Sequence, residues 1–262
     1  MLAIPTQTTI SVAWFNECFA QAGFSAQIKD FNAEQIGTGQ IGKCIRYSFN
    51  FSGSNVGDLP LSLIGKFPAD DENSRQTGVA LQNFLKEVRF YQELQGSLTI
   101  KTPKCYYAEI VDQGPDFFIL LEDLAPGQQG DQLLGCDPTV AKAALTELVG
   151  LHAPSWGDES LRQLAWLRDE EAALTSTTMD MYRALLGGFI DRFGPRLAED
   201  ERWIIKRVGE VTDSPLNASF PETFSLIHVD YRLDNLMIDR TAGGCEITAL
   251  DWQSVTLGSP LN

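Results

Sequence analysis

The chain has 262 residues, 20 Lys plus Arg against 35 Asp plus Glu, two His and five Cys. That length buries a core in one large domain or two small ones, and a composition 44% hydrophobic and 21% charged is neither disordered nor fibrous. The net charge of −15 argues against a nucleic acid or an anionic membrane surface as partner, since both are bound through Lys and Arg, and two histidines exclude a His-rich metal site.

Ile45, Tyr47, Phe49 and Phe51 alternate with polar residues, which predicts a half-buried strand. A turn cluster over 52–58 follows, and residues 61–67 read as the returning strand of a hairpin. A polar loop is expected over 68–77, then a helix over 78–94 whose inner face is Leu81, Phe84, Leu85, Val88 and Tyr91. Strands over 104–110 and 117–122 flank a turn at 112–116. A helix over 138–152 points Ala141, Ala144, Leu145, Leu148 and His152 inward, and further helices fit 159–175, 179–193 and 199–212. Short apolar strands are expected at 225–227, 236–238 and 246–250. Trp156, Trp166 and Trp203 read as core. The pattern divides the chain into a strand-rich lobe, 1–124, with a net charge of −5, and a mainly helical lobe, 125–262, with a net charge of −10.

The cysteines Cys18, Cys44, Cys105, Cys136 and Cys245 are odd in number, scattered and without a C-x-x-C pair. That fits neither a disulfide framework nor a zinc site and points to a reducing, cytoplasmic compartment. The N-terminus has no basic, apolar leader, and the longest apolar run, 117–121, is far too short to span a membrane.

Three constellations carry chemistry. Gly37-Thr38-Gly39-Gln40-Ile41-Gly42 is a G-x-G-x-x-G run, which on its own is a weak signal that a plain hairpin turn would also give. A dinucleotide fold needs a helix after it, whereas a kinase phosphate loop needs a strand, and a strand follows. Lys66 ends the next strand and could meet nucleotide phosphates if a carboxylate held it. Glu87, bordering the inward face of its helix, is the candidate. The strongest signal is His228-Val229-Asp230-Tyr231-Arg232-Leu233-Asp234-Asn235, set between two apolar strands, with Asp251 following a third. Asp230 can orient or deprotonate a hydroxyl, while Asn235 and Asp251 offer the hard oxygens that Mg²⁺ requires. His228 is read as a brace of this loop, and Asp234 as either a brace or a substrate contact.

In these residues the chain resembles the aminoglycoside phosphotransferase and choline kinase superfamily, relatives of the protein kinases. Within it the ecdysteroid-kinase-like branch looks nearest. The resemblance rests on Gly37–Gly42, Lys66, Glu87, the segment Leu120-Leu121-Glu122-Asp123-Leu124, Leu151-His152-Ala153 with Trp156, HVDYRLDNLMI and ALDWQSVTLGSP, and runs from about residue 35 to the end. It implies an α+β, bilobal protein-kinase-like fold, with an antiparallel sheet and a helix in the N-lobe and a mainly helical C-lobe. It also implies roles: Gly37, Gly39 and Gly42 over the phosphates of ATP, Lys66 held by Glu87 on the α- and β-phosphates, and the backbone of Glu122 and Leu124 at the adenine. Asp230 would be the catalytic aspartate, with Asn235 and Asp251 on Mg²⁺. The expected activity is transfer of the ATP γ-phosphate to a hydroxyl of a small molecule. The alternative is a kinase-fold nucleotide-binding module without transfer.

Two departures stand out. Family members commonly have His-Gly-Asp where this chain has His228-Val229-Asp230. The family also continues past Gly258-Ser259-Pro260 into further helices, so the chain, ending at Asn262, is expected to be cut short within that fold. An oxidoreductase using the glycine run and a Ser-His-Asp hydrolase are disfavoured, the latter because no G-x-S-x-G occurs. The acidic C-lobe would suit an amine-bearing acceptor, but charge does not select it over a neutral alcohol.

Overall fold

Ser11 starts the first helix by accepting the Trp14 N–H (3.2 Å), and Trp14, Phe15, Cys18 and Phe19 then form one buried stripe along α1 (Val12–Gln21). The computed structural model describes residues 2–25, 27–37, 41–52, 59–167, 171–211, 223–241 and 244–260. α1 covers one face of an antiparallel sheet built from β1 (Gln27–Ile36), β2 (Gly42–Ser52), β3 (Ser62–Pro68), and later β4 (Cys105–Ile110) and β5 (Phe117–Glu122), in the order β1-β2-β3-β5-β4. The strand alternation of 45–51 is the buried pattern of β2, and the pairing with β3 sets Cys44 opposite Lys66. The predicted turn cluster falls, apart from Ser52, outside the described residues.

Between β3 and β4 the structure corrects the sequence reading. The expected loop over 68–77 already contains α2 (Glu72–Ala80), because Asp71 caps it by accepting the Ser74 N–H (2.8 Å). Gln82 then adopts a left-handed conformation (φ 57°), which ends that helix and begins α3 (Asn83–Arg89), continued by a π-turn over Phe90–Leu94. The break turns Leu81 outward, 49% exposed, while Phe84, Leu85, Val88 and Tyr91 are buried as expected.

β5 is the strand on which both cores meet. Phe118 and Leu120 face α1, whereas Phe117, Ile119 and Leu121 join the core that α3 shares with the second half of the chain. That half begins with β6 (Gln128–Gln129), α4 (Pro138–Glu147) and α5 (Val149–Ser155). Asp137 caps α4 and Pro138 occupies its first turn. Its inward residues are Val140 and Ala144, with Leu151 on α5. Ala144 and Leu148 face the core as expected, but Leu145 is 67% exposed and lies off that face. Residues 159–167 hold only a short 3₁₀ turn at Leu161–Gln163 rather than the expected helix. α6 (Glu171–Phe193) and α7 (Glu199–Val211) pack on each other, with Tyr182 Oη donating to the Ile205 carbonyl (2.6 Å). Trp203 on α7 is 64% exposed and Trp156 lies on the surface as well, so neither is core. Trp166 is half-buried and donates to Glu93 (2.8 Å).

The chain closes with β7 (Ser225–Ile227), β8 (Leu236–Thr241), β9 (Gly244–Ala249) and β10 (Thr256–Gly258). β6, β8 and β9 form one small antiparallel sheet, and β7 pairs with β10 in another. The architecture is the expected bilobal α+β arrangement. Among the described residues no helix is long and apolar enough to cross a membrane.

Phe118 is fully buried against Trp14 and Tyr107. Phe118→Ala should therefore cost about 3–5 kcal/mol in urea unfolding, whereas Leu145→Ala should shift stability by no more than about 0.5 kcal/mol.

Candidate active site

Lys66 points from β3 into a pair of carboxylates. Its ammonium lies 2.6 Å from Glu87 Oε2, 2.8 Å from Glu87 Oε1 and 2.7 Å from Asp251 Oδ1. Glu87 comes from α3, and Asp251 from the turn after β9, where it adopts a left-handed φ of 62°. Burial pulls the Lys66 pKa down, but Asp251 and then Glu87 outweigh it and hold the lysine charged. Burial pushes the Glu87 carboxyl up to about 7, Lys66 opposing and Asp251 adding to the rise. Two carboxylates thus share one ammonium in a largely dry place.

Packing fixes this arrangement. The Phe90 ring stacks on Trp252, the residue after Asp251, with centroids 3.9 Å apart and 5° from parallel. Asn83 Nδ2 donates to the Gln253 carbonyl (3.0 Å), and Gln253 Nε2 donates to Asp251 Oδ2 (3.1 Å). α3 is therefore tied to the Asp251 turn at both ends.

The 228–235 loop stands beside it. Asn235 Nδ2 donates to both the carbonyl (2.9 Å) and Oδ2 (2.8 Å) of Asp230. The Leu250 N–H donates to the Asn235 carbonyl (2.9 Å), and His228 Nε2 donates to the Leu250 carbonyl (2.8 Å). Burial lowers the His228 pKa, so the ring stays neutral and acts as a brace. Tyr231 Oη reaches the Ala144 carbonyl on α4 (2.9 Å), and Gln132 and Asp234 hold the loop from the β6 side: the Gln132 N–H donates to Asp234 Oδ1 and the Leu233 N–H to Gln132 Oε1, both at 3.0 Å.

Asn235 and Asp251 fit a magnesium ion that relies on other ligands. The Asn235 amide nitrogen is committed to Asp230, which turns its oxygen into the available hard donor, and the Asp251 carboxylate offers a second. Among the described residues no cluster of three His, Cys, Asp or Glu could hold a metal. One or two protein oxygens completed by phosphates and water is the usual Mg²⁺ pattern at phosphoryl-transfer sites.

The glycine run enters from β1. Gly37 has φ 69°, favourable to glycine, and a Cβ on Gly42 would come 3.1 Å from Lys66 Cε, so the start of β2 passes close to the lysine. Gly39 lies outside the described residues. At the other predicted contact, the Glu122 N–H is already bound to the Lys104 carbonyl (2.9 Å), and the Leu124 carbonyl accepts the Gly127 N–H (2.9 Å). Sequence reasoning gave Arg232 no role. Its guanidinium pairs with Asp230 Oδ1 (3.1 Å) and Asp234 Oδ2 (3.4 Å), and the alternation Asp-x-Arg-x-Asp was the available cue.

Val229 occupies φ 69° while 57% exposed. A β-branched residue there is strained by about 1–2 kcal/mol, and little burial offsets it. Val229→Gly should leave thermal stability unchanged or raise it, by up to about 1 kcal/mol after the entropy that glycine restores to the unfolded chain. A drop in Tm would show that the valine side chain makes a stabilising contact.

The structure superposes on the GDP complex of wild-type aminoglycoside 2'-phosphotransferase-IIIa with a TM-score of 0.54 and 14% identity, covering 96% of this chain and 75% of that one. An ADP-bound aminoglycoside phosphotransferase, APH(2'')-Ib, matches with a TM-score of 0.49 and 14% identity over 93% and 72% of the two chains. At 14% identity the first of these likenesses shows the kinase-like fold alone. No curated protein sequence matches. The model of the ecdysteroid kinase-like family matches residues 39–262, nearly the whole chain, and the protein belongs to that family.

Proposed function

We propose that this chain is an ATP- and Mg²⁺-dependent kinase that transfers the γ-phosphate to an alcohol group of a small molecule, working in the cytoplasm. The observation that carries this reading is the Lys66 ammonium divided between Glu87 and Asp251, with Asp230 and Asn235 braced beside it. On this reading residues 1–124 receive the nucleotide and 125–262 present the acceptor. Gly37 and Gly42 lie over the phosphates, and Lys66 exchanges Asp251 for phosphate oxygens while keeping Glu87. The backbone of Glu122 and Leu124 meets the adenine. Magnesium, when bound by Asn235 and Asp251, would neutralise phosphate charge.

Asp230 orients the acceptor hydroxyl and takes its proton as the oxygen attacks the γ-phosphorus, while the bridging P–O bond breaks and ADP leaves. Asn235 and Arg232 fix the direction of its carboxylate, so little rearrangement is required at the moment of reaction. Catalysis in this class is mostly positioning and charge neutralisation. The charge of −15 argues against nucleic acid as a partner.

One observation favours nucleotide binding without transfer: both Asp230 carboxylate oxygens hold donors, Arg232 on Oδ1 and Asn235 on Oδ2. ATP turnover against a panel of hydroxylated small molecules separates the two readings. For a kinase, Asp230→Asn should lower kcat by about 10²–10⁴ while leaving ATP affinity within twofold, as expected for loss of a proton acceptor. Transfer by Asp230→Asn at the wild-type rate would refute the role given to Asp230. Tight Mg·ATP binding with no turnover on any acceptor would favour the binding module.

A further inference from the structure

The Asp123 side chain is only 5% exposed and accepts four hydrogen bonds. Arg46 on β2 supplies two, Nε to Oδ2 (2.7 Å) and Nη2 to Oδ1 (3.2 Å). Ser62 Oγ on β3 donates to Oδ2 (2.8 Å), and the Ala125 N–H donates to Oδ1 (3.2 Å). Burial alone would push this carboxyl up, but the bonds from Arg46, Ser62 and Ala125 more than offset it and hold its pKa below the usual carboxylate range.

The geometry has a definite effect on the segment leaving β5. A planar guanidinium fork fixes both position and rotation of a carboxylate, which a lone ammonium does not. Anchored to β2 and β3 by its side chain, Asp123 in turn holds the N–H of Ala125. Glu122 on one side is tied to Lys104, and the Leu124 carbonyl to Gly127. The Leu124 N–H between these anchors has no partner among the described residues.

We propose that the Asp123–Arg46 pair, assisted by Ser62, is a positioning device for the nucleobase, holding residues 122–125 so that the Leu124 N–H is presented to the base. The inference rests on the reading of the chain as a nucleotide-binding kinase. Asp123 and Arg46 act through the backbone and touch no ligand themselves. The consequence is a separation of effects: loosening the pair weakens recognition of the base while leaving the phosphate-binding groups at Lys66 and Asp251 as they are.

Calorimetric affinities for ADP and for inorganic tripolyphosphate, in the presence of Mg²⁺, test this on the wild-type protein and three variants. Arg46→Ala should weaken ADP about tenfold, the scale of one lost charge-assisted hydrogen bond, and leave tripolyphosphate unchanged. Arg46→Lys, which keeps the charge and loses the fork, should fall between Arg46→Ala and wild type. Ser62→Ala, which removes one neutral donor and spares the ion pair, should give a smaller loss in the same direction and serves if Arg46→Ala fails to fold. Unchanged ADP affinity in the variants, or parallel weakening of both ligands, would overturn the proposal while leaving the kinase reading in place. Failure of the wild-type protein to bind either ligand would instead contradict the kinase reading, and the positioning role with it.

Discussion

One buried lysine sets the terms for the rest of the structure. An ammonium removed from water is costly unless opposite charge surrounds it, and Lys66 obtains that charge from two places far apart in sequence. Glu87 reaches it from α3 and Asp251 from the turn after β9, at 2.6 and 2.7 Å. The lysine therefore joins the N-terminal sheet to the last segment of the chain through ionic contacts that neither part could satisfy alone. Removing either carboxylate would leave the other facing a changed charge balance, so the three groups form a unit. In a nucleotide-binding protein such a unit is also a natural exchange point, since phosphate can substitute for one carboxylate without leaving the lysine unpaired.

The apolar framework explains why that lysine stays in place. β5 sends Phe118 and Leu120 to the α1 side and Phe117, Ile119 and Leu121 to the α3 side, so one strand carries the packing of both cores and sits beside β3. Lys66 lies opposite Ile119 in this register, and Cys44 opposite Lys66. The stack of Phe90 on Trp252 fastens α3 to the residue that follows Asp251. Aromatic packing thus fixes the spacing of the two carboxylates, and the polar groups need only fine adjustment.

Much of the candidate site was legible because its determinants are local. The 228–235 run is short, lies between apolar strands and carries acid, amide and imidazole at close spacing. Helical periodicity placed Glu87 between Phe84 and Tyr91 at the border of the inward face, and the need of Lys66 for a carboxylate made it the candidate. Strand β2 was equally plain from period-2 alternation. β1 was less readable, because a bulge between Ile28 and Asp30 breaks its alternation. The division of 78–94 was missed because it depends on the backbone of Gln82, a residue with no marked turn preference. The exposure of Leu145 and Trp203 reflects which neighbours the helices meet, which periodicity does not encode. The Arg46–Asp123 pair was invisible for a related reason: its partners are 77 residues apart and meet only through the order and register of the sheet.

Exchange of Lys66 from Asp251 to phosphate, with the freed Asp251 available to a metal, is the central claim, and calorimetric titration of ADP with and without Mg²⁺ tests it most directly. The wild-type protein should bind ADP roughly tenfold more tightly with Mg²⁺ present, and Asp251→Ala should lose that metal dependence while still binding the metal-free nucleotide. ADP affinity that is the same with and without Mg²⁺ in the wild-type protein, or a metal dependence that persists in Asp251→Ala, would contradict it.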